Sequence, residues 1–310
     1  VLLCASVLFF FVKQKLKKNS TAVLLGLFLV IDLVGVNLRY VNEEDFVRKR
    51  SVEQPFQASA LDKEILRDQS VFRVFDPQEG LNGSRNSYFH KSLGGYHAAK
   101  PGKMEELVEF HLYKNNLQVL NMLNVKYIVQ QNEDGQRFPG INPDANGNAW
   151  FIEKLKTVSN ANEEISALDS LNTKTTAVIN TQHFPKAIAK SFVVDSLAGI
   201  TLLDHRPNTI AYQTTNRNAG YVVFSEMHYP KGWKTTLDGK EVSHEKVNYA
   251  LRGMEVPAGD HKIVFSFEPE VVKTGSKIAL ASSILFALAL LGSIGLTFGK
   301  KKRKTGKDKA

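Results

Sequence analysis

Eight histidines give this chain its most versatile side-chain chemistry, because imidazole moves protons and ligates metals near neutral pH. They stand at His90, His97, His111, His183, His205, His228, His244 and His261. No two show the His-x-x-x-His spacing, with an acid between, that puts two ligands on one helix face. His90 and His97, near Glu105 and Glu106, form the densest group, and hydrogen-bonded loop histidines are the plainer reading of it. No metal site is expected. The single cysteine, Cys4, lies in an apolar run, so neither an intrachain disulfide nor a thiolate cluster can form. No Gly-x-Ser-x-Gly turn, phosphate-cradling Walker motif or Gly-x-Gly-x-x-Gly fingerprint occurs. The carboxylates are dispersed, and none can be paired for glycoside hydrolysis.

The loop "SLGGYHAAKPGK" holds the best ligand-contact candidates, Tyr96, His97, Lys100 and Lys103. Tyr96, His97 and Lys100 suit a phosphate or a sugar, and the two lysines suit an anion. Gly94 and Gly95 let backbone approach a ligand closely. The competing reading is a tight loop whose tyrosine and lysines only pack and solvate. A second stretch, "SEMHYPKGWKTTLDGKEV", offers Tyr229 and Trp233 as stacking platforms for sugar rings. Alternation places Val223 and Phe224 on opposite faces, with one set buried, and Trp233 opens a strand just after Gly232. Core packing is the expectation for Trp233.

These residues need scaffolding. "SVFRVFD" alternates as a strand. Met104, Leu107, Val108, His111 and Leu112 share one face of a helix over 103–113. "LNMLNVKYIVQQ" passes from a helical turn into a buried strand at 125–129. "AWFIEKLKTV" and "TTAVIN" read as strands and "NANEEISALDSL" as a short helix capped by Asn160 or Asn162. From about 188 the pattern becomes six short strands: "GITLLDHR", "TIAYQTTN", "GYVVFSEMHY", "GWKTTLDGKEV", "VNYALRGMEV" and "HKIVFSFEP". Turn residues punctuate them, and Asp238-Gly239 is a strong hairpin signal. Six antiparallel strands of this kind predict a β-sandwich.

The mean hydropathy is −0.20, but the apolar residues are unevenly placed. "VLLCASVLFFFV" (1–12) is short for a bilayer and reads as a truncated transmembrane helix. "TAVLLGLFLVIDLVGVNL" (21–38) and a helix over 276–298 have the length to cross about 30 Å of hydrocarbon. The chain begins at Val1 inside an apolar run and is expected to be the C-terminal piece of a longer protein. Asp32 is an intramembrane polar candidate, costing roughly 2.5–3.5 kcal/mol at mid-bilayer. It faces other helices or lies near the outer interface. The net charge of +9 is carried by the loop "KQKLKK" and the tail "KKKRKTGKDKA". Without them the chain is close to neutral, which argues against nucleic-acid binding. Both basic clusters fall on one side if two helices cross between them, and the positive-inside rule makes that side cytoplasmic.

The expected fold is a membrane-anchored α+β chain. Transmembrane helices flank an outer region with a mixed α/β unit and a C-terminal antiparallel β-sandwich. The segments are a truncated helix (1–12), a basic loop (13–20), a helix (21–38), a linker (39–69), an α/β domain (70–185), the sandwich (186–272), a helix (276–298) and a basic tail (299–310). "EPEVVKTGSK" ties sandwich to helix too tightly for free motion.

The motifs "DLVGVNLRY", "FRVFD", "SLGGYHAAK", "LNMLNVKYIV", "GWKTTLDGKEV" and "VPAGDHKIVFSFEP", in this order, resemble the C-terminal part of YfhO-type bacterial membrane proteins. The resemblance spans nearly the whole chain, and "LNMLNVKYIV" with "GGYHAAK" is its most specific part. It implies a polytopic glycosyltransferase of the GT-C type in the bacterial cytoplasmic membrane. Such an enzyme moves a sugar from a polyprenyl-phosphate donor to a cell-envelope glycopolymer outside the membrane. The partners implied are the bilayer, the lipid-linked sugar and the glycopolymer; no other cofactor is identifiable. In GT-C enzymes the catalytic acid sits in an early outer loop, upstream of this chain, so no catalytic residue is carried over. The alternative is a non-catalytic binding or scaffolding module tethered by its helices.

Overall fold

The computed structural model describes residues 2–305, the side chains of 294 and 296–305 excepted. The chain divides into two units, Val1–Gln57 and Ala58–Ala310. In the first, α1 (Leu2–Val12) packs on α2 (Lys18–Tyr40), and a short α3 (Lys49–Glu53) follows. α2 overruns the expected 21–38 at both ends.

The second unit opens with α4 (Ala60–Ile65). Ser59 caps it: its Oγ accepts the Asp62 N–H while the Asp62 carboxylate accepts the Ser59 N–H. Next come β1 (Arg73–Phe75), α5 (Ser84–Phe89), α6 (Gly102–Phe110), α7 (Leu117–Met122), β2 (Val125–Gln131) and β3 (Arg137–Ile141). β1 lies parallel to β2, and β3 antiparallel to it. The helical face of α6 is the expected one, with Leu107 and Val108 buried and His111 and Leu112 just beyond its end.

The remaining strands are β4 (Ala149–Ile152), β5 (Lys154–Val158), β6 (Thr176–Asn180), β7 (Lys190–Ser191), β8 (Gly199–Arg206), β9 (Thr209–Asn216), β10 (Gly220–Met227), β11 (Trp233–Leu237), β12 (Lys240–Val242), β13 (Glu245–Val247), β14 (Leu251–Val256) and β15 (Gly259–Phe267). Helix α8 (Ala161–Ser166), capped by Asn160, lies between β5 and β6. Seven strands pair in the order β4-β10-β14-β13-β6-β5-β7, and five in the order β12-β11-β15-β9-β8. β10 is buried on both faces. Tyr221 and Val223 enter a core with Leu107, Trp150, Leu168 and Ile179, whereas Val222 and Phe224 meet Tyr212, Ile263 and Phe265 of the five-stranded sheet. The two sheets thus share one core, and the wider sheet shares another with the helices.

Three expectations need correction. "AWFIEKLKTV" is two strands, broken at Glu153, whose N–H bonds Thr175 O. Only that residue separates β4 from β5, yet they stand first and sixth in the sheet. A flat sheet would hold them roughly 24 Å apart at about 4.8 Å per strand. The sheet therefore curls on itself. Lys190 of β7 reaches Glu255 of β14 (2.9 Å), and the Phe192 ring lies 5.9 Å from Tyr221. Because β4–β7 pair into this sheet with β10, β13 and β14, the expected division at 185/186 does not separate two bodies. Second, "VNYALRGMEV" is not one strand. Asn248 (φ 49°) and Tyr249 (φ 71°) form a buried left-handed turn joining β13 to β14. The Asn248 side chain accepts the Val178 N–H (2.9 Å). Third, residues 299–305 of the expected tail continue the last helix, α9 (Glu270–Thr305), and 306–310 lie outside the described residues.

Within α2 and α9, Lys18–Tyr40 and Glu270–Ser293 are long and apolar enough to cross a membrane. α9 follows β15 after two residues. Glu268 N bonds Gly232 O (2.6 Å), and the Glu268 carboxylate accepts from Lys273 Nζ (2.9 Å).

Candidate functional site

The structure separates the four loop candidates. Tyr96 is 84% exposed and His97 is exposed. Lys100 Nζ donates to Asn82 Oδ1. Lys103 turns inward, 4.2 Å from the centre of the Tyr249 ring. The Gly-Gly pair serves packing: a Cβ at Gly94 would meet the Leu81 backbone at 2.7 Å, and Gly95 N bonds Leu81 O (2.9 Å). The loop is thus seated on residues 81–87.

Two of those residues, Arg85 and Asn86, line a cavity of about 540 Å³ between α4, β1, α5 and β3. Asp62 and Asp76 are each 3% exposed on its wall. Asp62 comes from the first turn of α4, where it also caps Ser59. It accepts from Arg85 of α5, and its other oxygen lies 3.1 Å from His90 Nε2. Burial would raise the Asp62 pKa, but the Ser59 hydrogen bonds, His90 and Arg85 outweigh it and hold the carboxyl below its usual value. Asp76 follows β1. It accepts from Arg137, at the start of β3, and from Gln78 N (3.1 Å). Glu79 accepts from Asn86 N (3.0 Å). The cavity wall therefore carries both carboxylates and guanidiniums, with Leu61 and Val129 as its apolar members.

Sequence reasoning missed Asp62, Asp76, Arg85 and Arg137. They span 75 positions, and only the β1-β2-β3 order brings them together. Two signals were present: the Ser59-x-x-Asp62 capping box, and an aspartate closing the alternating run "FRVFD". The grouping of His90 and His97 with Glu105 and Glu106 does not form, because His90 is taken by Asp62. Among the described residues no group of three His, Cys, Asp or Glu side chains is placed to hold a metal ion.

A second polar cluster lies inside the curled sheet. Lys246 Nζ meets Glu164 Oε2 at 2.5 Å, and Glu164 Oε1 accepts from Tyr249 N (3.1 Å). Tyr249 donates to Glu106 (2.5 Å). Beside it the Arg252 guanidinium stacks 4.0 Å over Trp233. Burial pulls the Arg252 pKa down to about 10. His228 and His244 lie 5.3 Å apart, and burial lowers each to about 4. Trp233 thus carries a guanidinium on its ring, while Tyr229 is 51% exposed. Arg252 Nη1 is buried there without a hydrogen-bond partner among the described residues, and the cluster is enclosed, whereas the α4–β3 cavity is open.

In the first unit, Asp32 lies on the wall of an apolar groove along α1 and α2, of about 880 Å³, with Cys4, Leu8, Leu25 and Phe28.

Residues 170–279 match the family model described as bacterial membrane protein YfhO, the family that the motifs resemble. That span runs from the loop before β6 into the first turns of α9. No curated protein and no solved structure matches the chain.

Proposed function

With a YfhO-type segment at residues 170–279 as premise, we propose that this chain is part of a polytopic membrane glycosyltransferase of the GT-C type. The enzyme transfers a sugar from a polyprenyl-phosphate donor to a cell-envelope glycopolymer. α2 and α9 cross the cytoplasmic membrane, and the residues between them form an outer, sandwich-like platform that shapes acceptor access. The basic loop after α1 and the basic end of α9 then share the cytoplasmic side. The family match carries this reading, and the two apolar helices support it.

The test is reconstitution of the full gene product in proteoliposomes with a labelled polyprenyl-phosphate hexose and an envelope glycopolymer fraction. Label should move into the polymer. A folded protein that moves no label from any such donor refutes the enzymatic reading and leaves the tethered binding module. Protease added to spheroplasts should cut between residues 40 and 270; protection of that region, with an exported control digested, overturns the sidedness.

A further inference from the structure

We infer that the cavity between α4, β1, α5 and β3 is a saccharide-binding site for one neutral pyranose unit, read through two Asp–Arg pairs. The cavity, of about 540 Å³, suits a ligand of this size. Its chemistry selects the class. Asp62 with Arg85, and Asp76 with Arg137, each set an acceptor beside a fan of donors. A sugar hydroxyl donates and accepts at once, so neighbouring hydroxyls match such a pair. Leu61 and Val129 supply the apolar patch on which the C–H face of a pyranose rests.

The charge count argues against an anion. Three carboxylates (Asp62, Asp76, Glu79) face two guanidiniums (Arg85, Arg137), so a phosphate would meet a net negative wall. Fold stability gives no strong reason for this arrangement, because buried ion pairs are commonly matched or bettered by apolar residues of similar volume. Charges kept on the wall of an open cavity are better explained by a ligand. The pairs are anchored from behind: Asp62 by the Ser59 cap and His90, Asp76 by Gln78 N. They are therefore oriented before any ligand arrives. The Arg137 side chain lines the cavity and is 33% exposed.

The inference rests on the proposed function only in taking this sugar as part of the acceptor; the binding chemistry stands on the cavity alone. The experiment is saturation-transfer NMR and calorimetry on the full chain in nanodiscs. The probes are methyl β-D-glucopyranoside, methyl β-D-galactopyranoside and methyl N-acetyl-β-D-glucosaminide, with inorganic phosphate as the anion. At least one glycoside should bind and phosphate should not compete. Arg137→Gln should weaken binding about 10-fold, as loss of one bidentate partner would. Ala60→Trp, which puts an indole into the cavity from an exposed position and removes no charged residue, should abolish it. Unfolding midpoints near that of the parent chain exclude a folding defect. No glycoside binding, binding unaffected by both variants, or displacement by phosphate overturns the inference. Binding without transfer activity supports this site and refutes the proposed enzyme. Transfer without binding does the reverse.

Discussion

Acidification should loosen this fold well before its carboxylates titrate, and His228 and His244 are the reason. Their rings touch in an edge-on pair, and Thr235 Oγ1 sits 2.7 Å from His244 Nδ1. The Arg252 charge adds to burial in disfavouring imidazolium at both rings, and Lys246 and Lys103 do so at His228. Each folded pKa is about 4 against an ordinary 6.5. A depressed histidine contributes stability that is complete above pH 6.5 and is lost as pH falls through 4. For one such group the linkage between pH 7.5 and pH 5 amounts to about 2 kcal/mol. Partial exposure of both rings sets the pair at roughly 2–4 kcal/mol. For a domain of this size that lowers Tm by roughly 5–15 °C. His111, also depressed by burial, acts in the same direction, while His261, raised by its hydrogen bond to Asp238, opposes it. The assay is the unfolding midpoint of the chain in nanodiscs from pH 7.5 to 5, beside the double variant His228→Gln/His244→Gln. The double variant should lose most of the slope, whatever its stability at pH 7.5. An unchanged slope refutes the reasoning.

Three substitutions test the packing. Gly253→Ala would bring a Cβ within 2.6 Å of the Tyr221 ring, which is fixed by Phe192 and by its hydroxyl on Glu245 (2.8 Å). Overpacking should cost about 1–3 kcal/mol, read as a lower urea midpoint. Glu164→Gln leaves Lys246 buried beside an uncharged amide and should cost about 3–5 kcal/mol, whereas Glu164→Gln with Lys246→Met should recover much of it. If the double variant is no more stable than the single, the buried charge is not the cause. Asn248→Ala removes the side-chain acceptor of Val178 N and puts alanine, which tolerates the left-handed region less well than asparagine, at φ 49°, for about 2–3 kcal/mol. Hydrogen exchange at Val178 should rise with it, and unchanged protection there would discount the bond.

Local pattern carried much of the fold. The strands of the five-stranded sheet are legible as short runs between turn signals, and Asp238-Gly239 turns with φ of 50° and 81°, as its type demands. For β10 alternation predicts one buried set, whereas both Val223 and Phe224 are buried, because the strand is covered on one face by the five-stranded sheet and on the other by the helices. The Asn248-Tyr249 turn escaped notice because its second residue is a tyrosine held left-handed by packing, where local chemistry would call for glycine. The break at Glu153 has no turn residue at all and exists because the sheet must close. The cavity was illegible for a related reason. Its charged pairs join residues 23 and 61 positions apart, and each partner alone looks like an ordinary surface charge.

The junction of β15 with α9 sets how force would travel through this molecule. A helix of 36 residues is a rod of about 54 Å, and two residues leave no slack at its root. Pro269 and the Glu268–Lys273 clasp stiffen that root further. A tilt of about 10° at the far end sweeps close to 9 Å there, and the near end must pass the torque directly to β15. The central strand of the five-stranded sheet is then a strain gauge for the last helix.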